Sequence, residues 1–547
     1  MTFTVHVKNG PIITSDVPIT GKAVLAESRP DGSDSIVAWR VNRYLRTLDW
    51  VIDDTAEVEF IDTTTFEGRE VYRRSLSFLL VLAWRKGLGK DIILRHSIGE
   101  GYYWESASGP VTAEDLETAK ETMADLIARD LPFIRKVVSL DKAKTVFTRQ
   151  GNEEVARLFQ WCALDPVELY RCMDLYGYYY APLAPSTSYL KLYDLKILGP
   201  GLVLQFPTIS HPASIPPFRA TKKLSAVFLD YARWLEVMGL RTMDSLHKKI
   251  ADGKALELIL ISEAFHARNL GNIATEISSR KTVKVVPIAG PSGSGKTTLS
   301  ERLKIQLQVS GKNPITLAMD NYFVDREQTP RDERGEFDFE VLEALDIGLL
   351  KDHIHRLLGG EEVVIPLFDF IEGRKKAGKT VRLGPDDILI MEGIHGLNDE
   401  IVDIIPKEQR YGIFVSPLTG VNLDDRNRTS TTDSRLLRRL VRDSRTRGHS
   451  AEATLLLWPK VIRGAMKFIF PYQMKADIMF NSSLPYELSV LRAYVDPILH
   501  TVPEESPVYG EAQRLLFMLK FIPMIPSEDI PNNSILREFI DGTCFSI

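Results

Sequence analysis

The apolar run Val285-Val286-Pro287-Ile288 leads directly into Gly290-Pro291-Ser292-Gly293-Ser294-Gly295-Lys296-Thr297-Thr298, and a segment of helical character, Leu299 to Val309, follows. Gly290 to Thr297 fit the pattern G-x-x-x-x-G-K-[ST], with a strand expected before it and a helix after it. Gly290, Gly293 and Gly295 let the backbone curl so that successive amide N–H groups point inward, where the partial charge of a helix terminus favours phosphate. Lys296 adds a mobile cation for outer phosphates. The Thr297 hydroxyl suits magnesium, which prefers hard oxygen donors and keeps waters and phosphates as its other ligands. A Gly/Ser-rich turn that binds nothing is the alternative, and the complete register of the motif weighs against it.

Such a loop commits its surroundings to an α/β fold. Downstream, short apolar runs at Ile315–Met319, Ile388–Met391 and Tyr411–Val415 alternate with helical stretches, including Phe339–Leu358. That alternation predicts a parallel sheet covered on both faces, with ligands beyond the carboxyl ends of its strands. Asp320 stands just past the second strand, where a carboxylate can accept the proton of an attacking hydroxyl and touch magnesium through water; capping the next turn is the alternative. Glu392 closes the strand that starts at Asp387, a second candidate for the metal's water shell, and Gly393 allows close backbone approach. Asp433 to Gly448 carries six arginines, of which Arg435, Arg438, Arg439 and Arg442 share one helical face. Beside a phosphate loop, forked guanidiniums can neutralise transition-state charge, which favours a catalytic lid over a solvated basic face.

At 547 residues the chain exceeds one hydrophobic core. Texture divides it into a β-rich module at 1–62, a mixed α/β region at 63–200, a helical connector at 201–280 and the α/β unit at 281–547. In the second region Glu70–Arg85 reads as a helix, and Thr112 caps another that runs to about Arg129. The net charge of −5 argues against a general nucleic-acid or membrane footprint. Three cysteines, Cys162, Cys172 and Cys544, are too few for a disulfide framework. With no leader pattern at the first residues and no apolar run long enough to span a bilayer, a cytoplasmic location is expected.

Two resemblances refine this. The small β module, followed by His96 to Trp104, Asp130-Leu131-Pro132-Phe133 and Tyr170 to Leu175, resembles the N-terminal half of threonyl-tRNA synthetase, a β-grasp-like TGS module followed by an editing domain. Where that family has its metal-ligating H-x-x-x-H pair this chain has Arg74 and Phe78, and Tyr176 and Tyr178-Tyr179-Tyr180 fall at the later cysteine and histidine. None of these supplies an imidazole or thiolate ligand, so the resemblance implies the fold without its hydrolytic chemistry. The tyrosine run is either packed or a stacking surface for a base.

The phosphate loop, Asp320-Asn321-Tyr322-Phe323, Phe337-Asp338-Phe339, Ile365 to Phe370, Met391-Glu392-Gly393-Ile394 and the arginine segment resemble, in order and spacing, the uridine kinase family within the phosphoribulokinase group. The resemblance implies ATP and Mg2+ as cofactors, with Gly290 to Thr298 on the triphosphate. It makes Asp320 the base for a nucleoside 5′-hydroxyl, and places Lys296, Arg439 and Arg442 in catalysis and Thr297, Asp320 and Glu392 at the metal. Asp338 and Arg439 would hold the ribose, Arg442 and Arg447 would close over the triphosphate, Phe368 and Phe370 would wall the base, and Tyr322 would line the substrate site, while Arg374, with Lys375 and Lys376, could instead read another base or a phosphorylated sugar. The family's base-reading tyrosine and histidine fall at Phe368 and Gly373, and a lid arginine at His449. The expected activity is phosphorylation of uridine or cytidine. The alternatives are a kinase for another nucleoside or a pentose phosphate, and a nucleotide-switched RNA-binding regulator. Nucleic-acid binding by the front half is disfavoured by the acidic balance, no membrane partner is expected, and the oligomeric state stays open.

Overall fold

Along the first strand, Phe3–Val7, Phe3, Val5 and Val7 are buried and His6 is exposed, the period-two pattern of a half-buried strand. This computed structural model describes residues 2–28, 35–99, 101–162, 164–209, 211–218, 222–333, 335–369 and 372–546. The first strand joins a five-stranded sheet ordered Ile12–Ser15, Phe3–Val7, Ala56–Asp62, Ile36–Val41, Tyr44–Arg46, with the helix Gly21–Ser28 beside it.

The next helix is longer than its apolar run suggests. It spans Phe66–Leu88, starts where the Thr65 side chain accepts from the Gly68 N–H, and stops at Gly89 with φ of 63°. Its neighbour Ala113–Ala128 opens with the expected capping box between Thr112 and Asp115. A four-stranded antiparallel sheet completes the layer, ordered Asp194–Leu198, Gly201–Gln205, Gly101–Ser106, Ile92–Ile98. Gly201–Gln205, just past residue 200, is thus a strand of the same sheet as Gly101–Ser106. Backbone pairing of Leu202 with Trp104 and of Gln205 with Gly101 holds it there.

The helices Lys222–Val237, Met243–Ala251 and Ala255–Ser279 are also more than a link. Leu258, Ile259, Leu270 and Ile273 share one hydrophobic core with Val286, Ile288, Leu299 and Leu303. The connector therefore packs into the same core as the strand and helix that flank the phosphate loop. Tyr178 enters that same core beside Phe159 and Phe521, while Tyr179 packs with Phe78 in the front core. Of the two readings of the tyrosine run, packing is what the structure shows for these two residues, which are 2% and 4% exposed.

The second half is built on a five-stranded parallel sheet ordered Asn313–Ala318, Asp387–Glu392, Val285–Ala289, Ile413–Ser416, Ile478–Asn481. Helices Lys296–Val309, Ile347–Leu358, Thr431–Thr446 and Glu487–Leu499 follow these strands. The central strand Val285–Ala289 is buried along its whole length, as parallel strands covered on both faces are. Two details differ from expectation. Helix does not begin at Phe339: Leu342–Ala344 is a single 3-10 turn, and the helix starts at Ile347 because Asp346 caps it, accepting from the Leu349 N–H. Between this helix and the sheet, Glu362–Asp369 and Arg374–Arg382 form an antiparallel hairpin. Among the described residues, no helix is long and apolar enough to cross a membrane.

Candidate active site

Register brings the chemistry to one level. Glu392 pairs with Ala318 on one side and with Ile288 on the other. The residues that follow these three, Met319-Asp320, Gly393 and Ala289-Gly290, therefore leave the sheet together at its carboxyl end. Strand order reverses around Val285–Ala289, since Asn313–Ala318 and Asp387–Glu392 lie to one side and Ile413–Ser416 and Ile478–Asn481 to the other, the place where ligands settle in open α/β sheets.

The loop is held from behind. Arg435 Nε donates to Ser292 O at 2.9 Å, Arg438 Nη1 to Gly293 O at 3.3 Å, and Ser482 Oγ to Ser294 O at 2.6 Å. Three loop carbonyls are thus engaged from behind, and inside the loop the Ser294 N–H donates to Pro291 O at 3.1 Å. Gly293 has φ of +78°, and a Cβ there would lie 2.9 Å from Arg435 O, so the arginine helix Thr431–Thr446 can approach only a glycine. Buried Ser294 Oγ and Arg435 Nη2 have no hydrogen-bond partner among the described residues. Orphaned donors beside a helix N-terminus fit an anion such as the phosphates of ATP.

The arginine run is sorted by burial. Arg438 is 0% exposed and paired with Glu487 at 2.5 Å, itself 1% exposed, so it is a strut under the loop rather than part of a shared lid face. Arg439 Nη1 reaches Ser292 Oγ at 3.1 Å, and its Nε donates to Asp443 Oδ2 at 2.9 Å. Asp443 also accepts from Arg442 at 2.8 Å and lies 3.7 Å from Arg447. Burial opposes ionisation of Asp443, but Arg442, Arg439 and Arg447 outweigh it and hold the carboxyl below its ordinary value. Burial and the neighbouring Arg442 pull Arg447 down to about 10, which leaves it cationic at neutral pH; the charge of Asp320 acts on it too.

Glu392 is a strongly perturbed acid. Burial pushes its carboxyl up to about 7, with the Asp320 and Glu538 charges adding to the rise and Lys296 and the Thr297 hydroxyl opposing it. Thr297 Oγ1 lies 3.4 Å from Glu392 Oε1. Hard oxygens whose negative charge is incompletely balanced fit a magnesium ion, which needs few protein ligands once phosphates and waters complete its shell. Thr297, Glu392 and, through water, Asp320 would hold it, and bound there it would supply charge neutralisation at the transferring phosphate.

Substrate-side expectations fare unevenly. Tyr322 is buried in full, packed in the core with its hydroxyl 2.9 Å from His353 Nδ1. Phe368 is 5% exposed, its N–H donates to Asn321 Oδ1 at 3.2 Å, and its ring sits 5.7 Å from Phe323. Phe370 lies outside the described residues. Asp338 is half-buried, its N–H donating to Pro330 O and its Oδ1 accepting from the Glu340 N–H. Arg374 is exposed at the start of its strand, while Lys375 is paired with Asp346 and Lys376 with Asp369 and Glu372. Gly373 has φ of +70°, and a Cβ there would lie 2.8 Å from Arg326 Cβ, so a histidine would not fit this turn. Sequence reasoning missed Asp443, Glu487, Ser482 and Glu538; none belongs to a short motif, and only the i,i+4 spacing of Arg439 and Asp443 was visible as a signal.

A parallel sheet, a phosphate loop and acids at its mouth define a phosphate-loop phosphotransferase of the kinase class. Residues 285–488 match the Phosphoribulokinase / Uridine kinase family. The chain is 30% identical over 200 residues to a uridine kinase of Halalkalibacterium halodurans, covering 36% of this chain and 84% of the relative. It is 32% identical over 201 residues to a uridine kinase of Anoxybacillus flavithermus, covering 37% and 86%. This chain belongs to the phosphoribulokinase/uridine kinase family. A solved D-glycerate 3-kinase of Cryptococcus neoformans var. grubii covers 38% of this chain and 89% of its own at 13% identity, with a TM-score of 0.28, too low to bear on the argument.

Proposed function

We propose that the protein transfers the γ-phosphate of ATP to the 5′-hydroxyl of a nucleoside, uridine or cytidine first. The observation that supports this reading is the shared level of Glu392, Ala318 and Ile288, from which the loop and both acids leave the sheet at the same end. Lys296 and the loop N–H groups bind the triphosphate. Asp320 takes the proton of the attacking hydroxyl, and Arg439 and Arg442, pinned by Asp443, face the charge spread over the transferring group. Asp338 and Arg439 orient the ribose, and Phe368 packs against the base. Positioning and electrostatics then supply most of the barrier reduction.

A second reading, a kinase for another nucleoside or a pentose phosphate, is favoured by one observation: Phe368 offers no side-chain polar group to a base. A site without polar readers rejects analogues weakly. The front half adds a proposal of its own, a TGS-like module and a synthetase-like domain without editing chemistry. The mixed sheet of residues 3–62 supports the first. For the second, Arg74 donates to Pro182 O and Phe78 is 1% exposed at the former ligand positions. A panel of nucleosides and sugars, with ADP release measured on the intact protein and on Asp320→Asn, tests the activity. Turnover that depends on no member of the panel refutes the nucleoside reading, and turnover unchanged in the variant removes Asp320 from its role.

A further inference from the structure

The loop helix Lys296–Val309 begins with N–H groups that have no partner within the helix. Leu299, the fourth, is already served by Gly295 O. Thr298, the third, donates from its backbone N–H at 3.1 Å and from its hydroxyl at 2.9 Å to one acceptor, Oε2 of Glu538. Glu538 lies 240 residues further along the chain, on the short turn Arg537–Ile540. A carboxylate oxygen makes the same demand on these donors as a phosphate oxygen does. Its negative charge is also felt at Glu392, beside the ground that a triphosphate must cross.

The turn is well anchored. Ile535, Leu536, Phe539 and Ile540 are each no more than 2% exposed. A Cβ on Gly295 would lie 2.6 Å from Ile535 Cγ2, so the tail rests on the loop itself. The Arg438 guanidinium lies 5.1 Å from the centroid of the Phe539 ring, Arg445 Nη1 donates to Phe539 O at 2.6 Å, and Arg445 pairs with Asp541 at 2.9 Å. The arginine helix therefore grips loop and tail together. Glu538, by contrast, is only half-buried, and its side chain can swing away while the apolar residues on both sides stay in place.

We propose that Glu538 is a built-in competitor of the nucleotide: its carboxylate occupies a phosphate position at Thr298 and has to withdraw when ATP seats. This rests on the reading that the loop binds ATP. The contact is a gate made of one side chain, and it sets the nucleotide affinity of the resting protein below what the loop alone would give.

Calorimetric titration of the full-length protein with MgATP, without acceptor, tests this. Glu538→Ala removes the competing charge and both hydrogen bonds and is expected to lower Kd about tenfold, the scale of hydrogen bonds to a charged group. Glu538→Gln keeps an acceptor oxygen but loses the charge, and a drop of about threefold is expected. Lys296→Ala in the otherwise native chain is the control. If it fails to weaken binding, the ATP reading itself falls. If it weakens binding while Glu538→Ala leaves Kd unchanged or raises it, the loop is the ATP site and the competitor proposal is overturned. Should the alanine variant not fold, Glu538→Gln alone decides, and an unchanged or higher Kd refutes the proposal. Hydrogen exchange gives a second reading: the Thr298 amide is slow in the resting wild type through its bond to Glu538 and is expected to exchange faster in resting Glu538→Ala. Equal rates would likewise overturn the proposal.

Discussion

Replacing Glu392 with glutamine is expected to make the nucleotide-free protein more stable at pH 8 while disabling it as a kinase. The ordinary value of this acid is 4.5, and burial chiefly pushes it up to about 7. An acid with a raised folded-state pKa supports folding only while protonated, so stability is fully present below 4.5 and declines as pH climbs through about 7. At ~1.4 kcal/mol for each tenfold change in proton affinity, that gap amounts to ~3 kcal/mol. Partial solvent access to the carboxylate trims the figure to ~2 kcal/mol. A glutamine, neutral throughout, avoids the loss. Because a chain of several domains need not unfold in one step, the readout is amide exchange of the strand Asp387–Glu392 through its cooperative opening, compared between variant and wild type at pH 5 and pH 8. About 30-fold slower opening in the variant at pH 8 corresponds to ~2 kcal/mol, with little difference at pH 5. Equal opening at both pH values, or faster opening of the variant at pH 8, would refute the reasoning.

Asp320→Asn should lower kcat by about a thousandfold, within the range of a lost general base together with metal-side charge, measured by ADP release with folding verified by circular dichroism. Asp443→Asn should loosen Arg439, Arg442 and Arg447 together, raising KM for ATP and lowering kcat by about tenfold each; kinetics against MgATP check it, and restored activity in Asp443→Glu would show that the carboxylate and not the volume matters. Arg438→Met strips buried Glu487 of its counter-charge, leaving it only the Ser434 hydroxyl and the Leu484 N–H, and should cost ~3 kcal/mol, seen as a fall in Tm of the kinase unit; a variant as stable as wild type would contradict the strut assignment.

The phosphate loop and the acids at the strand ends were legible because each is a local pattern: a glycine-rich turn, or an apolar run that stops at a carboxylate. Ala113–Ala128 was legible for the same reason, its Thr112 cap lying within three residues of Asp115, whereas the Thr65 cap that extends the helix at Glu70–Arg85 back to Phe66 was not read. What could not be read depends on distant partners. Arg438 looked like one arginine among six until Glu487, 49 residues away, was found beneath it. Tyr322 carries a family motif, yet its place is decided by His353 on the following helix. The strand Gly201–Gln205 is too short and too uniformly apolar to announce its sheet. Its pairing with Gly101–Ser106 is a tertiary fact. Glu538 is the extreme case, a residue in no motif whose contact spans most of the kinase half.

The continuous apolar interior has a practical corollary. Tyr178, Phe159 and Leu246 lie in one core with Val286, Leu299 and Phe521, so the catalytic half and the pieces ahead of it share a single seam. Excising residues 285–488 at the limits of family similarity would tear that seam open and bare large hydrophobic side chains along both cut faces. Such a fragment is expected to aggregate more readily than the intact chain, whatever its catalytic groups could still do.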